Sequence, residues 1–368
     1  MHLSRLPSGT WRVSVKHAGR RATGTARTRA EAQQVGAELL LAMGATPRSS
    51  DVTVEALLGA WLLDASLSVT YRADAIRIID RLPDAFKARR LEDVTVAVVE
   101  HLYRTLATSP NPATAPLTAH RIRRAHTVLS SAWTLALRYE WAKANPFRAA
   151  RKPTAPTRNV APPTTPVVAA LLGAADDRFR LYLSVAATIG ARRGEAVAIQ
   201  WDDIGDRSIT VRRSLAYTPA SGVVETAGKI GGKGHRVVAI PEALASDLRA
   251  WRKEQAQLAR RARLPAPVWV FSHDAGVTPW RPEFVSQRFR RLRKDVGATD
   301  VRLHDLRHFM ASQLLAAGVP VPVVSNRLGH TNMRTTTDVY GHLIPAADQL
   351  AAETMDALLG SVNVHRTG

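Results

Sequence analysis

Residues 152 to 166, KPTAPTRNVAPPTTP, hold five prolines and no apolar period, and neither a helix nor a strand ladder runs through such a stretch. Each proline fixes its own φ, withholds a backbone donor and pushes the preceding residue toward extended backbone, so the segment predicts a stiff interdomain linker. The chain on either side must bury its apolar residues in separate cores. With 368 residues, 45% of them apolar, there is material for two or three domains. There are no cysteines, which excludes disulfides, thiolate zinc sites and cysteine nucleophiles. Each core must stand on packing.

Upstream of the linker, four runs carry apolar residues at helical spacing: TVEALLGAWLLDA, TYRADAIRIIDRL, TVAVVEHLYRTLA and TAHRIRRAHTVLSSAWTLALRYEW, interrupted by NPATAPLT. Residues 51–150 therefore predict a helical domain. Residues 1–45 predict a small unit of their own, joined through GATPRSSD. In it Thr10 to His17 alternates as a strand, Arg20 to Arg27 pairs with it, and TRAEAQQVGAELLLAM forms a helix opened by a capping box of Thr28 and Glu31. Up to Ser50 this unit carries eight basic residues against Glu31 and Glu38, a balance that fits both a solvated face and a DNA-reading one.

Downstream, residues 167–358 predict a larger mixed domain, with 359–368 as a tail. SITVRRSLAYTP and HRVVAIP read as strands joined by the glycine-rich ASGVVETAGKIGGKG, a small sheet with a long hairpin. A phosphate-loop reading of GKIGGKGH fails, because no Ser or Thr follows either lysine and no helix follows the loop. Helices Pro241 to Arg263 and Pro282 to Val296 follow, the second with Arg288, Arg290, Arg291 and Arg293 as candidate backbone contacts; Arg121, Arg123 and Arg124 play the same part upstream, where a solvated face fits as well. In LHDLRHFMASQLLAAG, His304 and Arg307 stand three apart and leave one helical face about a turn apart. Gly318 stops that helix, Pro320 and Pro322 suit the first turn of the next, and Gly329 ends it, presenting His330 at a tight turn. The fold class is thus mainly α with small β-sheets (α+β).

The charge points to a partner. The net charge of +20 implies a polyanion, most simply nucleic acid, although an acidic membrane surface satisfies charge equally. Only eight of the 51 basic residues are lysine, so each lysine is worth noticing. The start MHLSRLPSGTW lacks the apolar core of a signal peptide, and no apolar run approaches the roughly 18 residues that span a bilayer, so the expected location is cytoplasmic.

The order H-x-x-R at His304 and Arg307, then L-G-H at His330, then Tyr340 ten residues later, resembles the tyrosine recombinase (phage integrase) family. The resemblance requires an arginine upstream, two residues after a glycine, and LSVAATIGARRGEAVAIQWDDI supplies Arg192, with Glu195 similar to the family's supporting carboxylate and Arg193 as an ordinary basic neighbour. It also implies a lysine at the hairpin turn. Lys229 and Lys233 both lie there, and Lys229 is preferred because Lys233 is only three residues before Arg236 on the returning strand. By this resemblance residues 1–45 are an arm-type DNA-binding module, 51–150 a helical core-binding (SAM-like) domain, 152–166 the linker and 167–358 the catalytic domain. The implied partners are double-stranded DNA at attachment sites, a homotetramer on that DNA, and an accessory DNA-bending or directionality protein.

A phosphodiester attacked by an oxygen gains charge on its equatorial oxygens and needs fixed donors aimed there. The resemblance gives Arg192 and Arg307 that task as forks, with Tyr340 as the nucleophile, His304 assisting proton transfer, His330 bonding a non-bridging oxygen, and Lys229 protonating the departing 5'-oxygen. A phenol, with a pKa near 10, leaves more readily than an alkyl alcohol, so rejoining needs no outside energy, and no cofactor or metal is expected. Two alternatives share these residues: a type IB topoisomerase, and a non-catalytic DNA-binding regulator on the same fold.

Overall fold

The computed structural model describes residues 2–17, 19–27, 31–32, 35–36, 38–39, 52–64, 66–108, 115–156, 162–226, 235–330, 332, 337 and 352–359. The chain divides into two compact units, Met1–Arg158 and Asn159–Gly368. The division falls inside the proline-rich stretch. Among the described residues the protein is mainly helical with small antiparallel sheets, as the periodicities predict.

The first unit opens with three antiparallel strands, β1 (His2–Arg5), β2 (Trp11–His17) and β3 (Arg20–Ala26), in that order across the sheet. Val13 and Val15 point to the covered face and pair with Gly24 and Ala22. Helical residues Val35 and Leu39 pack there so closely that a β-carbon on Gly24 would collide with Val35. Strand β1 was not predicted, since four residues with one half-buried pair offer too little alternation to read. It is brought back onto β2 by a turn at Gly9, whose φ of +82° suits glycine. Glu31 accepts from the Arg27 amide at 3.0 Å, whereas its expected capping partner Thr28 lies outside the described residues.

A helical layer follows: α1 (Val54–Leu62), α2 (Val69–Ile79), α3 (Asp84–Lys87), α4 (Val96–Thr108), α5 (Ala119–Arg138) and α6 (Pro146–Ala149). Thr53, Ser68, Thr118 and Asn145 each cap a helix start by accepting a backbone N–H that has no partner within the helix. The apolar faces close on Trp133 and Phe147, both fully buried with rings 5.0 Å apart. Arg124 is engaged within this layer, bonded to Asp74 at 2.9 Å and lying over Tyr71, while Arg121 and Arg123 are exposed.

The second unit holds α7 (Thr165–Ala174), α8 (Asp177–Ile189), α9 (Arg193–Val197), strands β4 (Ser208–Val211), β5 (Ser214–Thr218), β6 (Gly222–Thr226) and β7 (Arg236–Ala239), then α10 (Glu242–Arg261), α11 (Pro282–Asp295), α12 (Asp305–Ala316) and α13 (Val321–Leu328). Its core stacks Phe179 on Tyr182 and sets Phe271 and Trp280 against them. Gln255, fully buried, bonds the Trp201 indole at 2.7 Å and Ser272 at 3.1 Å, tying α10 to chain both before and after it.

The sheet differs from the expected hairpin. SITVRRSLAYTP is two strands, because Arg212 and Arg213 turn onto the buried carboxylate of Asp203, at 3.0 and 2.6 Å, and break the ladder between them. Strand β4 pairs with β7, and β5 pairs with β6, a strand inside the stretch expected to be pure connection. Residues 227–234, with Lys229 and Lys233, lie between β6 and β7 and outside the described residues.

Candidate active site

Helix α8 ends at Gly190, which adopts the left-handed conformation at φ +61°, and the chain turns at once into α9 with Arg192 as its cap. Glu195, third in α9, folds back on that cap: one carboxylate oxygen accepts the Arg192 backbone N–H at 3.0 Å, the other its Nη1 at 2.7 Å. One carboxylate therefore fixes both ends of Arg192, whose side chain stays 30% exposed. Burial alone would raise the Glu195 carboxyl, but the hydrogen bond and charge of Arg236, and then the backbone N–H and charge of Arg192, hold it below the ordinary glutamate range. Arg193 points elsewhere, bonding Ser286 at 2.7 Å and Glu283 at 3.3 Å on α11.

Arg307, on α12, is 4% exposed. Its Nη1 donates to the Gly190 carbonyl and its Nη2 to the Leu328 carbonyl at 2.6 Å. A single guanidinium thus satisfies carbonyls at the ends of both α8 and α13, where helix dipoles also favour a cation. The consequence is geometric. Arg307 is held between the turn that carries Arg192 and the turn that carries His330.

His304 stands at the cap of α12 with helical backbone angles, so it keeps the three-residue phase with Arg307 that the sequence predicts. Asp305 braces that start by accepting the Arg302 amide at 2.8 Å and its guanidinium at 3.0 Å. The His304 ring meets His308 edge-on at 5.1 Å. Burial, followed by the charges of His308 and Arg307, lowers the His304 imidazole from 6.5 to about 4. It is neutral at physiological pH.

His330 follows Gly329, whose φ of +63° ends α13. The Gly329 amide donates to Asn326 O at 2.9 Å and the His330 amide to Ser325 O at 3.1 Å, the paired bonds of a Schellman turn. Burial first, then the charges of Arg307, Arg192, Arg236 and His304, bring the His330 imidazole down to about 4. These neighbouring charges locate the residue. His330, His304, Arg307 and Arg192 lie within electrostatic reach of one another, although the sequence separates Arg192 from His330 by more than a hundred residues.

Tyr340, Lys229 and Lys233 lie outside the described residues. One residue at the site escaped the sequence reading. Arg236, the first residue of β7, is 7% exposed and donates to Glu195 at 2.7 Å and to the Arg327 carbonyl at 2.8 Å. In sequence it is one arginine among many on a short strand, and its only signal is a charge at a position where the alternation of β7 points inward. Among the described residues no three His, Asp or Glu side chains form a metal-binding group, and no helix is long and apolar enough to cross a membrane.

A fold with two arginines and two neutral imidazoles at the ends of its central helices invites comparison with known proteins. The model of the phage integrase family matches residues 164–346. The tyrosine recombinase XerD of Mycobacterium tuberculosis is 30% identical over 258 residues, 66% of this chain and 76% of that protein. The chain belongs to the phage integrase family. The ICEBs1 integrase of Bacillus subtilis strain 168 is 32% identical over 185 residues, 49% of this chain. The chain spans about half the length of that relative (49%) and of a tyrosine recombinase XerC-like protein of Caldanaerobacter subterraneus (50%). Among solved structures, the Tn1549 transposon integrase in complex with a circular intermediate DNA shares the fold at a TM-score of 0.66 and 17% identity, over 82% of this chain and 99% of that one. A lambda integrase tetramer bound to a Holliday junction does so at 0.57 and 16%, over 90% and 95%.

Proposed function

We propose that this protein is a site-specific DNA recombinase, an integrase of a phage or other mobile element, that cuts and rejoins DNA through a 3'-phosphotyrosine. The observation that carries this reading is the gathering of Arg192, Arg307, His304 and His330 about one place, with the two imidazoles neutral in a field of two arginines. Such a place offers fixed charge to the equatorial oxygens of a phosphodiester under attack. Relatives and structural neighbours named as integrases, several of them bound to DNA, support the reading.

In this mechanism the Tyr340 phenolic oxygen attacks phosphorus, the bond to the 5'-oxygen breaks, and a 3'-phosphotyrosine and a 5'-hydroxyl result. His304, neutral, accepts the phenolic proton or relays it, and Arg192 and Arg307 bear on the non-bridging oxygens. His330 donates to one of those oxygens. Lys229, between β6 and β7 in sequence, delivers the proton that the 5'-oxygen needs on leaving. Attack by a 5'-hydroxyl on the phosphotyrosine reverses each step, releases the phenol and rejoins the strand. Residues 1–45 take the arm-type contacts, 51–150 the core-site contacts and 167–358 the chemistry, with a homotetramer and an accessory DNA-bending or directionality protein completing the assembly.

The test is a covalent trap. Wild-type protein and Tyr340→Phe are incubated with duplexes from the flanks of its own gene, nicked at successive positions so that the cleaved strand diffuses away. A denaturant-resistant adduct mapping to Tyr340 and missing from the phenylalanine variant is the expected result. Tight, specific binding without any adduct would instead favour a non-catalytic regulator.

A further inference from the structure

Arg236 is bonded to both halves of the site. Its Nη2 donates to Glu195 Oε2 at 2.7 Å, and its Nε to the Arg327 carbonyl at 2.8 Å. Its Nη1 lies against Gly329 so closely that a β-carbon there would stand 2.8 Å from it. The guanidinium therefore joins three elements: β7, which follows Lys229 and Lys233 in sequence; the α9 start, with Glu195 and Arg192; and the α13 end, with Gly329 and His330.

We propose that Arg236 is a positioning residue, which acts through Glu195 on Arg192 and through the Arg327–Gly329 turn on His330 to hold those two groups in one register. The proposal rests on the recombinase reading for its consequence in catalysis, though not for its geometry. Glu195 receives three donors in all, two from Arg192 and one from Arg236. With Arg236 removed, a buried carboxylate keeps only the Arg192 donors and takes up a proton more readily, which frees the Arg192 fork from its brace. A lysine cannot replace the fork. Its single ammonium reaches either the carboxylate or the carbonyl with poor angles, whereas guanidinium geometry serves both at once. Gly329 belongs to the same device: its left-handed φ of +63° makes the turn, and its missing side chain makes room for the guanidinium.

The experiment compares Arg236→Gln, Arg236→Lys and Glu195→Gln with wild type. Adduct formation is followed in single turnover on a nicked duplex from pH 5 to 9, beside DNA affinity, thermal midpoint and the NMR titration of the His330 imidazole without DNA. A misplaced arginine or imidazole slows the chemical step by about 10²-fold, with DNA affinity close to wild type. In Arg236→Gln the acid limb of the rate profile should move to higher pH, because Glu195 protonates earlier, and the His330 titration should move up as a cation leaves its surroundings. Arg236→Lys should restore the His330 titration more fully than the rate. The rate losses of Arg236→Gln and Glu195→Gln should fall short of multiplying in the double variant. Unchanged rates, multiplying losses, or a loss matched by lost DNA affinity with an unmoved pH profile would overturn the proposal. Should Arg236→Gln not fold, Arg236→Lys decides: a slower chemical step with DNA affinity and the His330 titration close to wild type supports the proposal, and an unchanged rate overturns it. No adduct from wild type overturns the recombinase reading alone, and the His330 titration then judges Arg236 by itself.

Discussion

His304 and His330 are poised as neutral groups by burial before any partner arrives, and this has a cost that pH exposes. Each titrates near 6.5 when unfolded and near 4 in the fold. Between those values the unfolded chain binds more protons than the folded one, so stability is full above pH 6.5 and falls as pH drops toward 4. Chemical denaturation of wild type and His330→Gln across that range should show a shallower decline in the variant; equal slopes would mean that the imidazole is as solvated in the fold as out of it. Arg307 carries a different warning. Because it satisfies the carbonyls of Gly190 and Leu328, its removal leaves two buried acceptors unpaired as well as taking away the fork proposed for the phosphate. A rate lost in Arg307→Ala is therefore part architecture and part chemistry, and only a stability measurement beside it separates them.

At the scale of elements the site is a set of helix ends, and two glycines test how much each end contributes. Gly318 stops α12 at φ +79° with open space where a β-carbon would go; Gly190 stops α8 at φ +61° with Met310 already in that space. Alanine at either position meets the left-handed penalty of about 1–2 kcal/mol. Only at Gly190 does it also push on Met310 and Leu328, beside Arg307, so Gly190→Ala should lower the thermal midpoint more than Gly318→Ala and slow adduct formation as well. Equal losses in both variants would reduce Gly190 to an ordinary stop. These ends were legible because glycine and proline announce them locally: Gly318, Pro320 and Gly329 stand where the spacing puts them. Local reasoning also put His304 and Arg307 on one helical face and His330 at a turn, while Arg192 came from the family resemblance; the fold brings the four together. It failed where the deciding contact is distant. Strand β6 is hidden in a glycine-rich run because its partner β5 defines it, and Arg236 is anonymous until Glu195, 41 positions earlier, reaches it.

The whole molecule adds the field in which those turns operate. A net charge of +20 is far more than one site needs, and its arginines are not equivalent. On α11, Arg288 lies over Phe179 and pairs with Asp176, and Arg293 donates to the Val301 carbonyl at 2.8 Å, so both serve the fold. Arg290 and Arg291 on the same helix are exposed, as are Arg121 and Arg123 on α5. Exposed cations that neutralise phosphates release counterions, and binding then falls with salt in proportion to their number. If the exposed arginines follow the DNA backbone, duplex affinity should drop about 10³-fold or more between 50 and 200 mM salt, as six or more phosphate contacts require. Replacing Arg290 and Arg291 together by Gln should lessen the slope of log affinity against log salt by up to about two, with specificity among sequences unchanged. Replacing Arg288 should instead lower the melting temperature, since its charge is already spent within the fold. A slope unmoved by the Arg290 and Arg291 pair would assign those two residues to a solvated face and leave the DNA path to be sought on α5 and on the strands of the first unit.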